Sequence, residues 1–290
     1  MELTKLPCWH CGAENRRNEV YCPKCRFPLG PLNVNLLSDP YFGAGLDRRY
    51  ADVQETVAQN GKLAAVEAFE AEIVAAAQAV INMDARLLFH LVNESDVYLS
   101  YQQGVEQNKR RVLEFEDDVQ RCVVETSFYA GYTGRNVVYA AMSLDDDGVR
   151  SYGDVSVVLR TDDIEQVTTV FEKDTIVLFN ELTDAGWRAG TVMPAGYCGV
   201  WSNRGVLAVV KHGAQVAQAK KTPKTATLVL HSDGKKQNDE YIELHIFNGV
   251  APLNFAKVKF HKKLGNEFDE VQINLLKHIL KGQNTEIAGK

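Results

Sequence analysis

Four of the six cysteines form two Cys-x-x-Cys pairs close to the start of the chain. Cys8 and Cys11 make the first pair, Cys22 and Cys25 make the second, and ten residues separate the pairs. A Cys-x-x-Cys turn places two thiolates on one metal ion, and two such turns complete a closed tetrahedral zinc site. A segment this short buries too little apolar surface to fold alone, so the metal supplies the free energy of folding. The spacing therefore predicts a structural zinc ion within residues 1–30.

The cysteine pairs have two other readings, a redox dithiol and a pair of disulfides. A redox motif is one pair on a strand-to-helix turn, and the residues around these pairs do not indicate such a turn. His10 lies inside the first loop, and we expect it to be exposed rather than a fifth ligand. Gly12 follows the first pair, where a zinc knuckle often needs a positive φ. The segment resembles the short zinc-ribbon modules at the ends of many bacterial proteins, which implies a docking role without catalysis.

The composition is that of a globular chain, with 45% hydrophobic and 24% charged residues. The net charge of −6 gives no general attraction to nucleic acid or acidic membrane, so such contacts would need a local basic patch. No signal peptide is expected, because the start lacks a basic stretch followed by an apolar run. The most apolar window, residues 63–81, contains glutamates and predicts an amphipathic helix rather than a membrane span. Cys122 and Cys198 stand alone, and this cysteine usage indicates a reducing, cytoplasmic location.

Residues 31–46 are rich in proline and glycine without a regular period, which is typical of a linker. Residues 47–110 are a predicted helical region. Its predicted helices span residues 48–59, 62–82, 84–92 and 95–109. Asn60-Gly61 is a C-cap signal, and Asp84 and Ser95 are candidate N-caps. We expect these helices to pack as a layer or a small bundle.

From residue 111 onward, short runs of β-branched and aromatic residues alternate with glycine and aspartate turns. Residues 111–290 are therefore a predicted β-rich domain. Its predicted strands span residues 111–116, 119–130, 137–142, 155–160, 168–171, 175–178, 206–210, 226–230, 241–247 and 256–260. Helical spacing returns at residues 267–281 and predicts a closing helix. The predicted fold class is α+β: a zinc ribbon, a helical layer and a mixed, split-sheet β-rich domain with a C-terminal helix.

The stretch 241–247 carries the clearest signal for a functional site. The sequence lacks the signatures of phosphate-binding loops, dinucleotide-binding turns, serine hydrolases and zinc proteases. As a strand, this stretch would separate three aliphatic side chains from four on the opposite face: Tyr241, Glu243, His245 and Phe247. A carboxylate beside an imidazole and two aromatic rings is unusual for a solvated face. An exposed strand also tolerates these residues, so a structural role is the alternative.

The order of the predicted strands carries a family resemblance. Tyr152-Gly153 forms a turn into strand 155–160, an acidic turn follows strand 168–171, and Glu243 lies on a late strand followed by Asn248-Gly249. Over residues 119–263 this order resembles the catalytic half of bacterial proteins with the ADP-ribosyltransferase fold. The stretch Tyr129-Ala130-Gly131-Tyr132-Thr133 resembles a loosened form of that family's first motif.

The resemblance implies a split sheet that clamps NAD and a catalytic glutamate, Glu243, on the late strand. It implies that Tyr139 and Tyr152 bracket the nicotinamide and that Arg150 or Arg135 pairs with the pyrophosphate. Cleavage of the nicotinamide–ribose bond develops positive charge on the sugar, as in glycoside hydrolysis, and a carboxylate stabilises that charge. The family's acidic residue two positions before the glutamate is replaced here by a tyrosine. This departure leaves open an altered target, a different cleavage of NAD or a fold without activity.

The alternative function is a non-enzymatic zinc-ribbon protein that binds nucleic acid or a protein partner. The ribbon carries positive charge at Arg16, Arg17, Lys24 and Arg26. Other basic residues are Lys211, Lys220, Lys221, Lys224, Lys257, Lys259, His261, Lys262 and Lys263. These side chains would bind phosphates as a stripe, or they form a solvated face balanced by acidic residues. In a scaffolding protein, the ribbon and the helices would dock a protein partner instead.

Overall fold

A computed structural model describes residues 6–8, 10–15, 19, 21–27, 29, 34, 37, 39–107, 115–129, 137–220, 223–247 and 249–289. The α-helices in these ranges are α1 (Pro40–Gln59), α2 (Leu63–Ala76), α3 (Ala85–Asn93), α4 (Tyr101–Glu106), α5 (Phe115–Phe128), α6 (Thr161–Ile164), α7 (Thr175–Asp184), α8 (Arg204–Gln218), α9 (Thr225–Val229) and α10 (Glu270–Gly282).

The strands of the ribbon are β1 (Leu6–Pro7) and β2 (Glu14–Asn15), which form an antiparallel pair. The remaining strands are β3 (Gln78–Met83), β4 (Val137–Ser143), β5 (Val155–Leu159), β6 (Thr168–Phe171), β7 (Cys198–Val200), β8 (Leu230–His231), β9 (Glu240–Tyr241), β10 (Glu243–Phe247), β11 (Phe255–Phe260) and β12 (Glu286–Gly289).

Eight strands form one mixed sheet in the order β12-β11-β5-β3-β4-β10-β6-β7. Neighbouring strands run antiparallel except β11 and β12, which are parallel. Strands β8 and β9 form a separate antiparallel pair. The predicted α+β class with a closing helix is thus confirmed, and the strands form one large mixed sheet.

Helices cover both faces of this sheet. Leu244 of β10 belongs to an apolar cluster that includes buried residues of α1, α2, α3, α8 and α10. Phe247 of the same strand lies on the opposite face, in a cluster with Phe128 of α5 and Leu178 of α7. Side chains of β10 therefore alternate between two packed layers, as the pleat of a strand requires. Residues on both sides of the predicted boundary at 110 contribute to the first cluster.

Aspartate side chains cap the N-termini of four helices: α1, α3, α7 and, through Asp269, α10. Asp39 accepts a hydrogen bond from the Tyr41 amide at the start of α1, and Asp84 accepts one from Leu87 at the start of α3. Asp174 caps α7 in the same way. Each cap satisfies an amide that lacks a partner inside its helix. The Asp39 cap explains why α1 begins at Pro40, inside the predicted linker, rather than at Arg48.

The predicted helix 62–82 is wrong in its second half. Helix α2 ends at Ala76, and Gln78–Met83 forms β3 between β4 and β5. Five consecutive residues of β3 are buried, because the strand has packed layers on both faces. Such a strand is apolar without alternation, so its pattern cannot be separated from that of a buried helix.

Four predicted strands are helices. Residues 119–130 lie largely in α5, 175–178 in α7, 206–210 in α8 and 226–230 largely in α9. These segments are rich in valine, but β propensity depends on context, and packing against the sheet overrides it. Residues 111–114 of the predicted strand 111–116 lie outside the described residues. The last two residues of that prediction belong to α5, which begins at Phe115. The predicted helix 95–109 is shorter, since α4 spans Tyr101–Glu106.

The other predicted strands are confirmed within one or two residues at each end. They are 137–142, 155–160, 168–171, 241–247 and 256–260. The stretch 241–247 is interrupted at Ile242, so that Tyr241 ends β9 and Glu243 begins β10. The closing helix is confirmed as α10.

Candidate functional site

The sulfur atoms of Cys8, Cys11, Cys22 and Cys25 all lie within 4.8 Å of one another. The Cys8–Cys25 and Cys11–Cys22 Sγ distances are both 3.7 Å. A tetrahedral zinc site with Zn–S bonds of about 2.3 Å has sulfur–sulfur edges of about 3.8 Å. Four thiols at this spacing fit a zinc ion, and four protein ligands leave no open position for chemistry.

The two cysteine pairs have the same backbone hydrogen bonds. The Gly12 amide donates to the Cys8 carbonyl over 2.7 Å, and the Arg26 amide donates to the Cys22 carbonyl over 2.8 Å. Both donors have a positive φ, +70° for Gly12 and +61° for Arg26. The expected positive φ at Gly12 is confirmed. Its counterpart at Arg26 was not predicted, because arginine does not signal a left-handed conformation.

The two thiols of the second pair differ in pKa: desolvation and the side chains of Cys11, Cys22 and Cys8 raise the pKa of Cys25 to about 12, whereas the pKa of Cys22 is lowered. Desolvation raises the pKa of Cys22, but hydrogen bonds from the backbone of Cys25 and Lys24 outweigh it and lower the pKa to about 7. A thiolate is the form that binds zinc. His10 is exposed, as expected, and stacks on Phe27 with ring centroids 4.9 Å apart.

A second polar centre lies on the face of β10 that packs against α5 and α7. Glu243 is 4% exposed and His245 is fully buried, although both side chains are polar. Strand β10 lies between β4 and β6, so His245 stands opposite Tyr139 on one side and Thr169 on the other. Polar groups buried this deeply need hydrogen-bond partners.

The two oxygens of Glu243 have different environments. Oε1 accepts hydrogen bonds from Thr175 Oγ1 and from His245 Nε2, each over 2.6 Å. Oε2 lies 3.3 Å from the Tyr241 hydroxyl. That hydroxyl has one hydrogen, which it donates over the shorter distance of 2.7 Å to Oδ2 of Asp174. Oε2 is therefore the carboxylate oxygen that retains capacity for a ligand.

His245 links Glu243 to the apolar core behind it. Its Nδ1 lies 2.7 Å from the Tyr129 hydroxyl. A neutral imidazole satisfies both contacts, with Tyr129 donating to Nδ1 and Nε2–H donating to Glu243. The rings of Phe171 and Tyr139 pack on the imidazole at 4.5 and 4.6 Å between centroids. The imidazole thus has one orientation, and it holds Oε1 in place.

A small cleft opens beside this carboxylate. Its cavity volume is about 10 Å³, roughly the space of one water molecule. The residues that line it are Arg121, Val124, Tyr139, Asp174, Thr175, Ile176 and Glu243. The N-terminus of α7 begins at Thr175 and favours negative charge at Glu243. Pockets that enclose whole drug-sized ligands measure roughly 300–1,000 Å³, so this cleft holds a water-sized group and would have to widen to take part of a dinucleotide.

Helix α5 brings a second carboxylate, Glu125, to the same region. Glu125 is 2% exposed, and its Oε1 accepts a short hydrogen bond from the Tyr139 hydroxyl. The Arg121 guanidinium lies over the Tyr139 ring, 4.9 Å from the centroid. Burial raises the pKa of Glu125 to about 7, against a smaller lowering by the Tyr139 hydrogen bond and the charge of Arg121.

The structure brings three of the sequence-predicted site residues together. Tyr139 lines the cleft with Glu243, and Tyr152, 40% exposed, interacts electrostatically with Glu243. Arg150 does not line the cleft. It is exposed at the start of a 3₁₀ turn, and its backbone amide donates to Ser232 Oγ. The guanidinium in the cleft belongs to Arg121 instead.

Sequence reasoning missed Arg121 and Glu125 because their segment was predicted as a strand. In a helix, oppositely charged residues four positions apart lie on one face. The spacing of Arg121 and Glu125 is therefore a signal in the sequence that could have found them. Other predicted residues lie outside the described ranges: Arg16, Arg17, Ala130, Gly131, Tyr132, Thr133, Arg135, Lys221 and Asn248.

Part of the predicted basic stripe lies on β11 and directly after it. Three lysines in this part form ion pairs with carboxylates. Lys257 Nζ lies 2.9 Å from Asp146 and 2.8 Å from Glu286. Lys259 and Lys262 each pair with an aspartate as well. These pairs reduce the positive charge that the stripe presents. Among the helices in the described ranges, none is both long and apolar enough to cross a membrane.

No protein-family model matches the chain, and no curated protein matches its sequence. Its function is therefore inferred from the geometry of the cysteine cluster and of the Glu243 cleft.

Proposed function

We propose that the protein is an ADP-ribosyltransferase-like enzyme that cleaves NAD at Glu243, and that its zinc ribbon directs it to a target. The observation that carries this proposal is the asymmetry of the Glu243 carboxylate. Oε1 accepts two hydrogen bonds of 2.6 Å from Thr175 and His245, while Oε2 faces a donor whose hydrogen is committed to Asp174. A carboxylate held by one oxygen and available at the other is suited to a substrate.

The chemistry requires a negative charge beside a developing positive one. When the bond between nicotinamide and C1′ of the ribose breaks, the bonding electrons leave with nicotinamide and the sugar becomes oxocarbenium-like. Oε2 of Glu243 would stabilise that charge or accept a hydrogen bond from a ribose hydroxyl. The fixed contacts at Oε1 reduce the reorganisation needed as the charge develops.

The surrounding side chains supply binding surfaces for the rest of the substrate. Tyr139 and Tyr152 would bracket the nicotinamide. Arg121, which lines the cleft as Arg150 does not, would pair with a phosphate. The cleft, about 10 Å³ in volume, would have to widen to take the nicotinamide–ribose end, with the adenosine end outside its mouth.

The test is to incubate the full-length, zinc-loaded protein with NAD and to follow nicotinamide release and the mass of the acceptor. We expect release by the wild-type protein and its loss in Glu243→Gln, which keeps the size of the side chain. A mass gain of one ADP-ribose identifies a transferase, whereas free ADP-ribose identifies a hydrolase. Wild-type protein that leaves NAD intact would overturn the proposal.

A second candidate is a non-enzymatic protein whose ribbon binds nucleic acid or a protein partner. The supporting observation is that Lys24 and Arg26 are both exposed on the second knuckle. Binding of nucleic acid through these residues would weaken steeply as salt rises, because counterions are released. Double substitution of Lys24 and Arg26 by glutamine should then reduce the affinity, and the salt dependence should become shallower. Binding that is insensitive to salt would favour a protein partner.

A further inference from the structure

We propose that Tyr139 and Glu125 form a proton relay that leads out of the Glu243 cleft and accepts the proton of the attacking nucleophile. This proposal rests on the proposed function and deepens it. The position two residues before Glu243 holds a tyrosine instead of an acidic residue, and the proposal gives the role of a second carboxylate to Glu125. Tyr139 would touch the nucleophile, and Glu125 would act through Tyr139.

The first support is the environment of Glu125. The side chain lies on α5 and is 2% exposed. Tyr139 donates to its Oε1, while its buried Oε2 has no hydrogen-bond partner among the described residues. Leaving a buried carboxylate oxygen unpaired costs on the order of 1–3 kcal/mol. A purely structural role does not account for a carboxyl group retained at that cost.

The second support is the position of Tyr139. Its ring lines the cleft together with Glu243, and its hydroxyl is bonded to Glu125. Tyr139 is therefore the direct connection between the cleft and the buried carboxylate. The Arg121 guanidinium packs on the Tyr139 ring, 4.9 Å from its centroid. Burial raises the pKa of Tyr139 well above its usual value, so the hydroxyl stays protonated and serves as a donor.

The surroundings of Glu125 bring its pKa into the range that suits a general base near neutral pH. Burial raises its pKa to about 7, with Tyr139 and Arg121 lowering it and Glu243 raising it. Asp174 at the start of α7 lines the same cleft. A base that titrates near neutral pH is present in its accepting form and still binds a proton well.

The proton transfer balances as follows. The nucleophile, water or an acceptor hydroxyl, forms a bond to C1′ of the ribose as nicotinamide leaves with the bonding electron pair. Its O–H bond breaks and the proton passes to the oxygen of Tyr139, while the Tyr139 hydroxyl proton passes to Oε1 of Glu125. Tyr139 ends neutral, and Glu125 ends as a neutral carboxylic acid that later loses its proton to solvent.

The test is the pH profile of nicotinamide release under saturating NAD. We expect the wild-type rate to rise with pH through about 7, as Glu125 ionises. Glu125→Gln should lower the rate about 100-fold above that pH and remove the rise. Tyr139→Phe should do the same, and the double variant should be no slower than either single variant. Glu55→Gln, an exposed glutamate on α1, is the matched control and should keep the wild-type profile.

The outcomes separate this proposal from the one on which it rests. If the wild-type protein releases no nicotinamide at any pH, the proposed function fails and the relay falls with it. If the wild-type protein is active and folded Glu125→Gln keeps the rise near pH 7, the relay alone is overturned. If Glu125→Gln does not fold, the profile of Tyr139→Phe decides: a retained rise contradicts the relay, and its loss supports it.

Discussion

Thr175 Oγ1 donates a 2.6 Å hydrogen bond to Oε1 of Glu243, although the two residues lie in different elements and 68 positions apart. The threonine is the first residue of α7, and the glutamate is the first residue of β10. This contact ties the N-terminus of a helix to a buried carboxylate on the sheet. It combines a charge-assisted hydrogen bond with the favourable end of the helix dipole.

Replacing Thr175 by valine keeps the shape of the side chain and removes the donor to Glu243. Because the buried carboxylate then loses one partner, we expect the free energy of unfolding to fall by about 1–3 kcal/mol. Thr175→Ser keeps the hydroxyl and loses one methyl group, so it should cost about 1 kcal/mol or less. Denaturant unfolding of the two variants measures the difference, and equal stability of valine and serine variants would contradict the assigned bond.

The cysteine cluster predicts one zinc ion per chain. Metal analysis of the purified protein should give that ratio, and Cys22→Ser should lower it, because a structural site of this kind needs four thiolates. Cys198→Ala is the matched control, since Cys198 is buried in a separate apolar cluster and should leave the zinc content unchanged. Zinc retained at full ratio after Cys22→Ser would place the metal elsewhere.

Chelation of the zinc should unfold the ribbon and leave the sheet intact. The two main apolar clusters draw on residues from Leu37 onward, whereas the ribbon depends on metal binding for its folding. We expect chelator to broaden or shift the amide NMR signals of residues 8–27 and to leave those of β10 unchanged. Loss of the β10 signals on chelation would show that the zinc also stabilises the body.

Glu125 should make the protein less stable as pH rises. Its pKa is about 7 in the folded chain against an ordinary value of 4.5, so between these values the folded state binds more protons than the unfolded state. The free energy of unfolding therefore falls over this window, by on the order of 3 kcal/mol. Glu125→Gln should remove this fall, and the difference between the two unfolding curves at about pH 5 and about pH 8 measures it.

His212 should have the opposite effect. Burial, followed by the charge of Lys211, lowers its pKa from 6.5 to about 4, so the unfolded state binds the extra proton between these values. Stability is present above the upper value and is lost as pH falls through the window. His212→Leu should flatten this acid loss. It leaves no buried partner unpaired, because Nδ1 bonds the exposed Gln215 over 3.3 Å and Nε2 has no partner among the described residues. In the wild-type protein, Glu125 and His212 change the free energy of unfolding in opposite directions as pH rises. Each contribution is therefore measured as the free energy of unfolding of the variant minus that of the wild type at each pH.

The sequence was most informative where a pattern is local. Two Cys-x-x-Cys pairs defined the metal cluster, and alternation along β10 placed Glu243 and His245 on one face. Both features depend on spacings of two to four residues, which backbone geometry fixes without reference to the rest of the chain.

Sequence reasoning failed where packing decides the structure. Strand β3 is buried on both faces and therefore has no alternation, and α5 is rich in residues that also suit strands. The error at α5 hid Arg121 and Glu125, because their proximity to Glu243 exists only when the segment is a helix. The sequence predicts an acidic turn after strand 168–171, but only the fold brings Asp174 of that turn and Thr175 to Glu243.

The most direct measurement of the central claim is the rate of nicotinamide release from NAD by Glu243→Gln and by Glu240→Gln, each with unfolding curves. Glu240 lies three residues earlier on β9, and its exposed carboxylate pairs with Lys211 over 3.4 Å. The account predicts a loss of at least about 100-fold in folded Glu243→Gln and a near wild-type rate in Glu240→Gln. No release by the wild-type protein, or equal rates in the two variants, would contradict it.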